Sequence, residues 1–216
     1  MDDNRKTKAE TATARGHIYG LLAAVFREEP DKEFIRELKS PQFSEVFSGL
    51  GADLGDEFHE SVADNLCDEL SMEFTRLFLG PGLHISAHES IFVDVDGESG
   101  ELWGAKTVEV KKFIETTGLR YDEQFTGLPD HISVELEFMR KLAEWEADLW
   151  IQGEIEHAQH CLTLQKMFAD RHLMRWVPNF CARVIDEAKH PFYREMAKVT
   201  SDFLEFDNKS INESLS

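Results

Sequence analysis

Apolar residues recur at intervals of three and four along most of this 216-residue chain. The first stripe consists of Ala14, Ile18, Leu21, Leu22 and Val25. The second consists of Phe58, Val62, Leu66, Leu70, Phe74 and Leu77. Such spacing places apolar side chains on one face of a helix, whereas a half-buried strand would need strict alternation. The pattern therefore predicts an all-α fold, a bundle of helices.

Proline and glycine divide the chain into the predicted helices. Pro30 and Asp31 end the first helix and begin a short one, and Pro41 opens another. Pro178 and Pro191 predict boundaries between the last helices, because proline is tolerated at a helix start but not in its interior. The longer apolar stripes predict helices over 56–78, 106–117 and 131–152, with two or three more over 154–206.

Residues 80–103 lack the helical repeat and are predicted to form a long loop between the two halves of the chain. Ile91–Val95 is compatible with a short strand, but one short strand does not make a sheet. Because no internal repeat or linker is present, residues 1–206 are predicted to form a single helical domain. Residues 207–216 are polar and are predicted to form a frayed C-terminal tail.

The charge balance restricts the possible partners. The chain has 23 Lys and Arg residues against 42 Asp and Glu residues, which gives a formal net charge of −19. Proteins that bind nucleic acid need basic patches to neutralise phosphates, and anionic lipid surfaces attract basic segments. The composition therefore argues against both and favours a cationic or apolar partner.

The ends and the cysteines indicate the compartment. The N-terminal residues MDDNRKTKAE contain no apolar segment of the kind found in a secretory signal. Tyr19–Phe26 is far shorter than the roughly 20 apolar residues that a membrane-spanning helix needs. Three widely spaced cysteines differ from the even, dense set of a secreted disulfide framework. We therefore expect a cytoplasmic protein that is not an integral membrane protein.

Motifs for cofactors and catalysis are incomplete in this chain. Gly100–Thr107 resembles a phosphate-binding loop, but an alanine replaces the glycine required before the lysine. Asp94–Glu98 resembles the start of a calcium loop, but its glycine is out of register. His157, His160 and Cys161 lack a fourth zinc ligand, and no nucleophile motif is present. The sequence thus predicts no catalytic residue, no cofactor and no metal.

The stretch from 128 to 139 begins a strongly apolar helix with polar residues at its start. Asp130 is placed to cap this helix and to interact with the positive end of its dipole. His131 and Glu135 are four residues apart and share one face. Two interpretations stay open. One is a capped core helix, which the pattern alone favours, and the other is a proton-transfer cluster of these three residues in a small hydrolase.

Two short motifs flank the predicted long loop. They are Phe74-Thr-Arg-Leu77-Phe78-Leu79-Gly80-Pro81 and Leu128-Pro129-Asp130-His131. The first resembles the aromatic-x-x-L-F-x-G-P element of the TorD/DmsD/NarJ family of redox-enzyme maturation chaperones, and the second resembles that family's P-(x)-D-H element at a helix start. Their order and separation also fit, and the resemblance extends over about 17–203. The phenylalanine at 74 and the direct Pro-Asp junction depart from the common pattern and leave the client subgroup undetermined.

This resemblance implies an all-α fold and a non-catalytic, cytoplasmic chaperone. Members of the family bind the precursor of a molybdenum-containing oxidoreductase. They typically recognise its N-terminal twin-arginine leader and delay export until the cofactor has been loaded. The family's functional positions correspond here to Phe74, Leu77, Phe78, Pro129, Asp130 and His131.

The chemistry of these positions is compatible with such a leader, which combines a basic stretch with an apolar segment. The apolar segment needs a groove, and the expected lining is Phe74, Leu77 and Phe78. Arginines favour carboxylates, which accept bidentate hydrogen bonds, and the candidate carboxylates are Asp130, Glu135 and, as a weaker candidate, Glu89. The predicted peptide-binding set therefore includes both motifs and Glu135.

Other interpretations stay open at this point. A helical scaffold that binds another partner without recognising a leader would have the same fold, and the hydrolase described above is a less favoured alternative. The oligomeric state is open between monomer and homodimer, because the loop over 80–103 could serve as a hinge for exchanging helices between protomers.

Overall fold

The computed structural model describes residues 2–80, 82, 84–93, 102–121 and 127–216. In this part of the chain the helices are α1 (Asp3–Arg27), α2 (Lys32–Leu38), α3 (Pro41–Gly49), α4 (Gly55–Glu60), α5 (Ala63–Phe74), α6 (Glu89–Phe92), α7 (Ala105–Thr116), α8 (Ile132–Gln152), α9 (Ile155–Phe168), α10 (Met174–Glu187) and α11 (Pro191–Leu215). Five-residue π-helical segments follow α5 and α9, at Thr75–Leu79 and Ala169–Leu173.

The predicted all-α fold is confirmed. No strand is found within the described ranges, where β-type pairing is limited to an isolated antiparallel bridge between His88 and His131. None of the helices in those ranges is long and apolar enough to cross a lipid bilayer. The segment predicted as a long loop contains the short helix α6, so the expectation of loop over its whole length is wrong.

The helices form two compact units. The first consists of Met1–Arg27, His88–Val177 and Leu204–Ser216, and the second of Glu28–Ala87 and Pro178–Phe203. The chain thus leaves the first unit and returns to it twice. The single domain predicted over 1–206 stays a prediction.

The second unit contains a helix break that the sequence pattern did not predict. One helix was expected over 56–78, but α4 ends at Glu60 and α5 begins at Ala63. The Lys39 Nζ donates hydrogen bonds to the backbone carbonyls of Phe58 and Ser61, at 2.8 and 2.6 Å. Because the last carbonyls of a helix have no partner within it, this ammonium group stabilises the end of α4.

Pro178 lies inside α10 rather than at a helix boundary, so that part of the prediction is wrong. The N–H that proline lacks would have bonded to the carbonyl of Met174, the first residue of α10. Only one helical hydrogen bond near the helix start is therefore lost. Pro191 does begin a helix, as predicted.

The first unit is built on the packing of α1 against α8 and of α8 against α9. Arg15 of α1 lies among these helices with only 8 % of its surface exposed. Its guanidinium group donates to Asp207 on α11, to Glu146 Oε2 on α8 at 2.8 Å and to Gln165 Oε1 on α9 at 2.6 Å. The Tyr19 hydroxyl donates to the same Asp207 carboxylate at 2.7 Å. One side chain therefore joins four helices.

The C-terminal residues are helical, and the prediction of a frayed tail from 207 onward is wrong. α11 continues to Leu215, and both Asp207 and Ile211 are buried in the first unit. The burial of Asp207 is explained by its pairing with Arg15. A carboxylate can be buried when a charged partner and hydrogen bonds compensate for the lost hydration.

We predict that Asp207→Ala lowers the free energy of unfolding by about 3–5 kcal/mol, because it leaves part of the Arg15 guanidinium buried without a partner. Glu205→Ala, at an exposed position of the same helix, is the matched control and is expected to change stability by less than about 0.5 kcal/mol. Urea unfolding followed by circular dichroism measures both. Equal midpoints for the two variants would contradict the assigned role of this network.

Candidate functional site

The first motif lies in the second unit, at the end of α5 and in the π-helical segment that follows. Phe74, Leu77 and Phe78 are at most 8 % exposed. The ring of Phe78 lies 4.9 Å from that of Phe74 and 6.0 Å from that of Phe180, measured between centroids. Tyr193 packs against both motif rings. These side chains form an aromatic core in the described conformation.

The end of the π-helical segment leaves little room for a side chain at the glycine of this motif. A Cβ atom at Gly80 would lie 3.3 Å from the carbonyl oxygen of Thr75, which is closer than ordinary van der Waals contact. The Leu77 carbonyl accepts a hydrogen bond from the Ile85 N–H at 2.7 Å, so the chain returns along the helix end. The motif therefore determines how α5 ends.

Glu73, directly before the motif, was not singled out from the sequence. Its carboxylate accepts hydrogen bonds from the Arg76 guanidinium and from the backbone N–H groups of Lys189 and His190. Burial acts to raise the pKa of Glu73, but these hydrogen bonds outweigh burial and hold it below its usual range. Arg76 also donates to the Glu187 carbonyl at 2.7 Å. The hydrogen bonds of Glu73 and Arg76 thereby connect the end of α5 to the turn between α10 and α11.

The second motif lies in the first unit, and its residues have different roles from those predicted. His131, not Asp130, caps α8, because its Nδ1 atom accepts the Ser133 N–H at 3.2 Å. Asp130 Oδ2 instead accepts the Ser90 N–H at 3.0 Å, and the Asp130 carbonyl accepts the Glu89 N–H at 2.9 Å. Asp130 therefore holds the start of α6, which explains why it does not cap its own helix.

His131 is uncharged near neutral pH. Its half-buried ring lies 4.9 Å from that of His88, measured between centroids. Burial and, to a smaller extent, His88 lower the pKa of His131 to about 4, although the Asp130 charge acts in the opposite direction. Because Nδ1 is an acceptor at the helix start, the ring proton of the neutral form lies on Nε2.

Three carboxyl groups meet around the second motif without contact with solvent. Glu89, Asp130 and Glu135 are each 0 % exposed. The His172 Nδ1 atom lies 2.8 Å from Glu89 Oε2, and the Trp176 indole donates to Glu135 Oε2 at 3.1 Å. Burial, and then the nearby Glu89 charge, raise the pKa of Glu135 well above its usual range. We refer to these five residues as the polar cluster.

Sequence reasoning identified the three carboxylates of the polar cluster but not their partners. His172 is 83 residues from Glu89 along the chain, and Trp176 is 41 residues from Glu135. No periodicity relates such distant positions, so only the folded chain reveals these pairs.

The predicted peptide-binding residues thus belong to two different units. Phe74, Leu77 and Phe78 form part of the interior of one. Pro129, Asp130, His131 and Glu135 belong to the other, and His131 alone among these seven is half-buried rather than buried. Their assignment to peptide binding stays a prediction.

The candidate metal ligands that the sequence placed on α9 differ in exposure. Within the described residues no group of three or more His, Cys, Asp and Glu side chains is placed to hold a metal ion. His157 and His160 are exposed, whereas the Cys161 thiol is buried and donates to the Leu142 carbonyl. Asp94–Glu98 and the glycine that begins the phosphate-loop-like segment lie outside the described residues.

Comparison with known proteins decides the family. The family model for the nitrate reductase delta subunit matches residues 40–182, a segment that contains both motifs. The chain belongs to the nitrate reductase delta subunit family. The resemblance to TorD/DmsD/NarJ proteins is thereby confirmed, since both motifs fall within the matched segment.

Individual relatives extend the match to almost the whole chain. The chaperone protein TorD of Vibrio parahaemolyticus is 24% identical over 208 residues, covering 90% of this chain and 93% of that protein. The chaperone protein TorD of Shewanella pealeana is 25% identical over 209 residues, covering 89% and 87%. These relatives place this TorD/NarJ-family chain among the redox-enzyme maturation chaperones.

A solved structure has the same fold. The crystal structure of a candidate redox enzyme maturation protein from Archaeoglobus fulgidus matches with a TM-score of 0.53 at 20% identity, covering 87% of this chain and 93% of that one. At this identity the similarity concerns the fold alone, and it agrees with the all-α architecture described above.

We predict that His131→Asn removes a pH dependence of stability. In the wild type, His131 takes up a proton near pH 6.5 in the unfolded chain but only near pH 4 in the folded chain. The contribution of neutral His131 to the free energy of unfolding is therefore lost as the pH falls from 6.5 to 4. The shift corresponds to about 3 kcal/mol. Asparagine is a good N-cap that does not titrate. Urea unfolding of both proteins from pH 7 to 4 should show the free energy of unfolding of the wild type falling relative to that of the variant, and parallel curves would contradict the assignment.

Proposed function

We propose that this chain is a non-catalytic cytoplasmic chaperone that binds the precursor of a molybdenum-containing oxidoreductase. In this proposal it recognises the twin-arginine leader and retains the precursor until its cofactor has been loaded. The observation that carries the proposal is the match to TorD chaperones along almost the full length of both partners in each comparison. The family implies this client class.

The charge of the chain supports a cationic ligand. A net charge of −19 attracts a basic leader and raises the rate of encounter. Carboxylates on the surface would bind its arginines, and an apolar groove would receive the segment that follows.

The two motifs are the proposed sites of recognition. Six of the seven predicted residues are buried in the described conformation, so direct contact with a peptide requires local opening within each unit. In the second unit the π-helical segment Thr75–Leu79 is a natural place for such opening, because π-helical turns are less regular than α-helix and occur frequently at functional sites. In the first unit half-buried His131 lies at the edge of the polar cluster. Leader binding is therefore proposed to be coupled to the stability of both interiors.

We predict that synthetic twin-arginine leaders from the molybdoenzymes of the source organism bind the full chain, and that replacing both arginines by glutamine weakens binding at least about tenfold, since two charge-assisted contacts are lost. The double variant Asp130→Ala/His131→Ala should weaken binding similarly. Asp148→Ala, at an exposed position of α8, is the control. Isothermal titration calorimetry measures affinity, and circular dichroism confirms that each variant is folded.

Two outcomes of these titrations would contradict the proposal. A folded double variant with unchanged leader affinity would refute the assignment of the second motif. A wild-type chain that binds none of the leaders would refute leader recognition and favour the helical scaffold.

We also predict that the association rate constant for a leader falls at least about fivefold between 50 and 500 mM salt, because added ions screen the attraction between the acidic chain and the basic peptide. Stopped-flow fluorescence with a labelled peptide measures this rate. A rate that is independent of salt would show that the net charge does not assist encounter.

A further inference from the structure

Two carboxyl groups of the polar cluster face each other in a site that solvent does not reach. Glu89 on α6 and Glu135 on α8 are both 0 % exposed, and their carboxyl groups are close enough to hydrogen-bond when one carries a proton. His172 satisfies one oxygen of Glu89, and Trp176 satisfies one oxygen of Glu135. No donor among the described residues reaches the other oxygens, Glu89 Oε1 and Glu135 Oε1.

A buried carboxylate oxygen without a donor is costly, because the hydration lost on burial is not replaced. Two ionised carboxylates can only accept hydrogen bonds, so neither can satisfy the other. A single proton between them supplies the missing donor and removes one of the two adjacent negative charges. No arrangement of ligands for a metal ion is found here among the described residues.

The surrounding charges also favour a bound proton. Asp130, on the turn before α8, adds a third carboxylate near Glu135. His172, on the π-helical segment after α9, is hydrogen-bonded to Glu89. Burial lowers the pKa of His88 beside α6, which disfavours a positive charge on that imidazole.

The remaining groups that the structure describes near the pair do not neutralise it. His131 at the start of α8 also has a lowered pKa, and Arg27 of α1, which acts on His131, forms an ion pair with Glu137. Burial raises the pKa of Tyr121, after α7, so the phenol stays neutral near physiological pH.

We propose that Glu89 and Glu135 share one bound proton in the folded protein, and that this proton joins α6 to α8. The proton is taken from solvent on folding and returned on unfolding. Burial and the charge of Glu89 assign it to Glu135, which then donates to Glu89. This inference concerns the folded chain itself and does not depend on leader binding.

The consequence is a link between pH and the attachment of α6. That helix has only four residues, Glu89–Phe92, and Asp130 and the carboxyl pair hold its first turn. Removal of the proton at alkaline pH places two adjacent negative charges in the interior. We therefore expect α6 to detach from α8, with loss of the bridge between His88 and His131.

The test compares urea unfolding of the wild type with that of Glu135→Gln from pH 5 to 8. The glutamine amide donates permanently to Glu89 and binds no extra proton. The unfolding equilibrium constant of the wild type, divided by that of the variant, should rise about tenfold per pH unit from the ordinary glutamate pKa of about 4.3 up to the pKa in the folded protein. Contributions from titratable groups distant from the pair cancel in this ratio.

Two further variants complete the test. Glu89→Gln should remove the same pH dependence, because its amide donates to Glu135 while its carbonyl accepts from His172, and it replaces Glu135→Gln if that variant does not fold. Glu144→Gln, a partly exposed carboxylate of α8, is the control and should follow the wild type. A ratio that is constant over the whole pH range for either carboxyl variant would overturn the proposal.

Discussion

The arrangement of the first unit depends on one guanidinium group that is almost entirely removed from water. Burial alone would lower the pKa of Arg15, but the charges of Asp207 and Glu146 outweigh this and raise it above its usual range. The charges stay buried because each has a partner, and Gln165 provides a further acceptor. Such pairs do not maximise stability, since an apolar replacement of similar volume is often as stable. In the observed register, α1, α8, α9 and α11 together supply all of these partners.

The two family motifs act by different physical means. The first contributes aromatic rings to the interior of the second unit, where Phe74, Phe78 and Tyr193 pack together. The second contributes hydrogen-bonding groups, since Asp130 holds α6 and His131 caps α8. The residues that carry the family resemblance are therefore also residues on which folding depends. A substitution in either motif is expected to change stability as well as binding, and the two effects must be measured together.

The sequence was most informative where local chemistry determines structure. The helix predicted over 131–152 is observed as Ile132–Gln152, because its apolar stripe is continuous and Gly153, with φ of +84°, provides the left-handed residue that ends it. Prediction failed where a distant partner intervened. Asp130 was expected to cap α8, but its carboxylate is bonded to Ser90, which is 40 residues away.

The same reason explains two further errors. The polar residues after 206 suggested a frayed tail because nothing in the sequence relates Asp207 to Arg15, which lies 192 residues earlier. The expected helix over 56–78 is divided after Glu60, where Lys39, from a different helix end, donates to the last carbonyls of α4. In the polar cluster, the three carboxylates were candidates from the sequence, but His172 and Trp176 became apparent only from the folded structure.

The function proposed for this TorD/NarJ-family chain is binding of the precursor of a molybdenum-containing oxidoreductase. The most direct measurement is affinity capture of the tagged full-length chain from its source organism, grown so that such reductases are expressed, followed by mass spectrometry. We predict recovery of a molybdoenzyme catalytic subunit that retains its uncleaved N-terminus. Recovery of an unrelated partner, while those subunits are present in the extract but not captured, would contradict the claim.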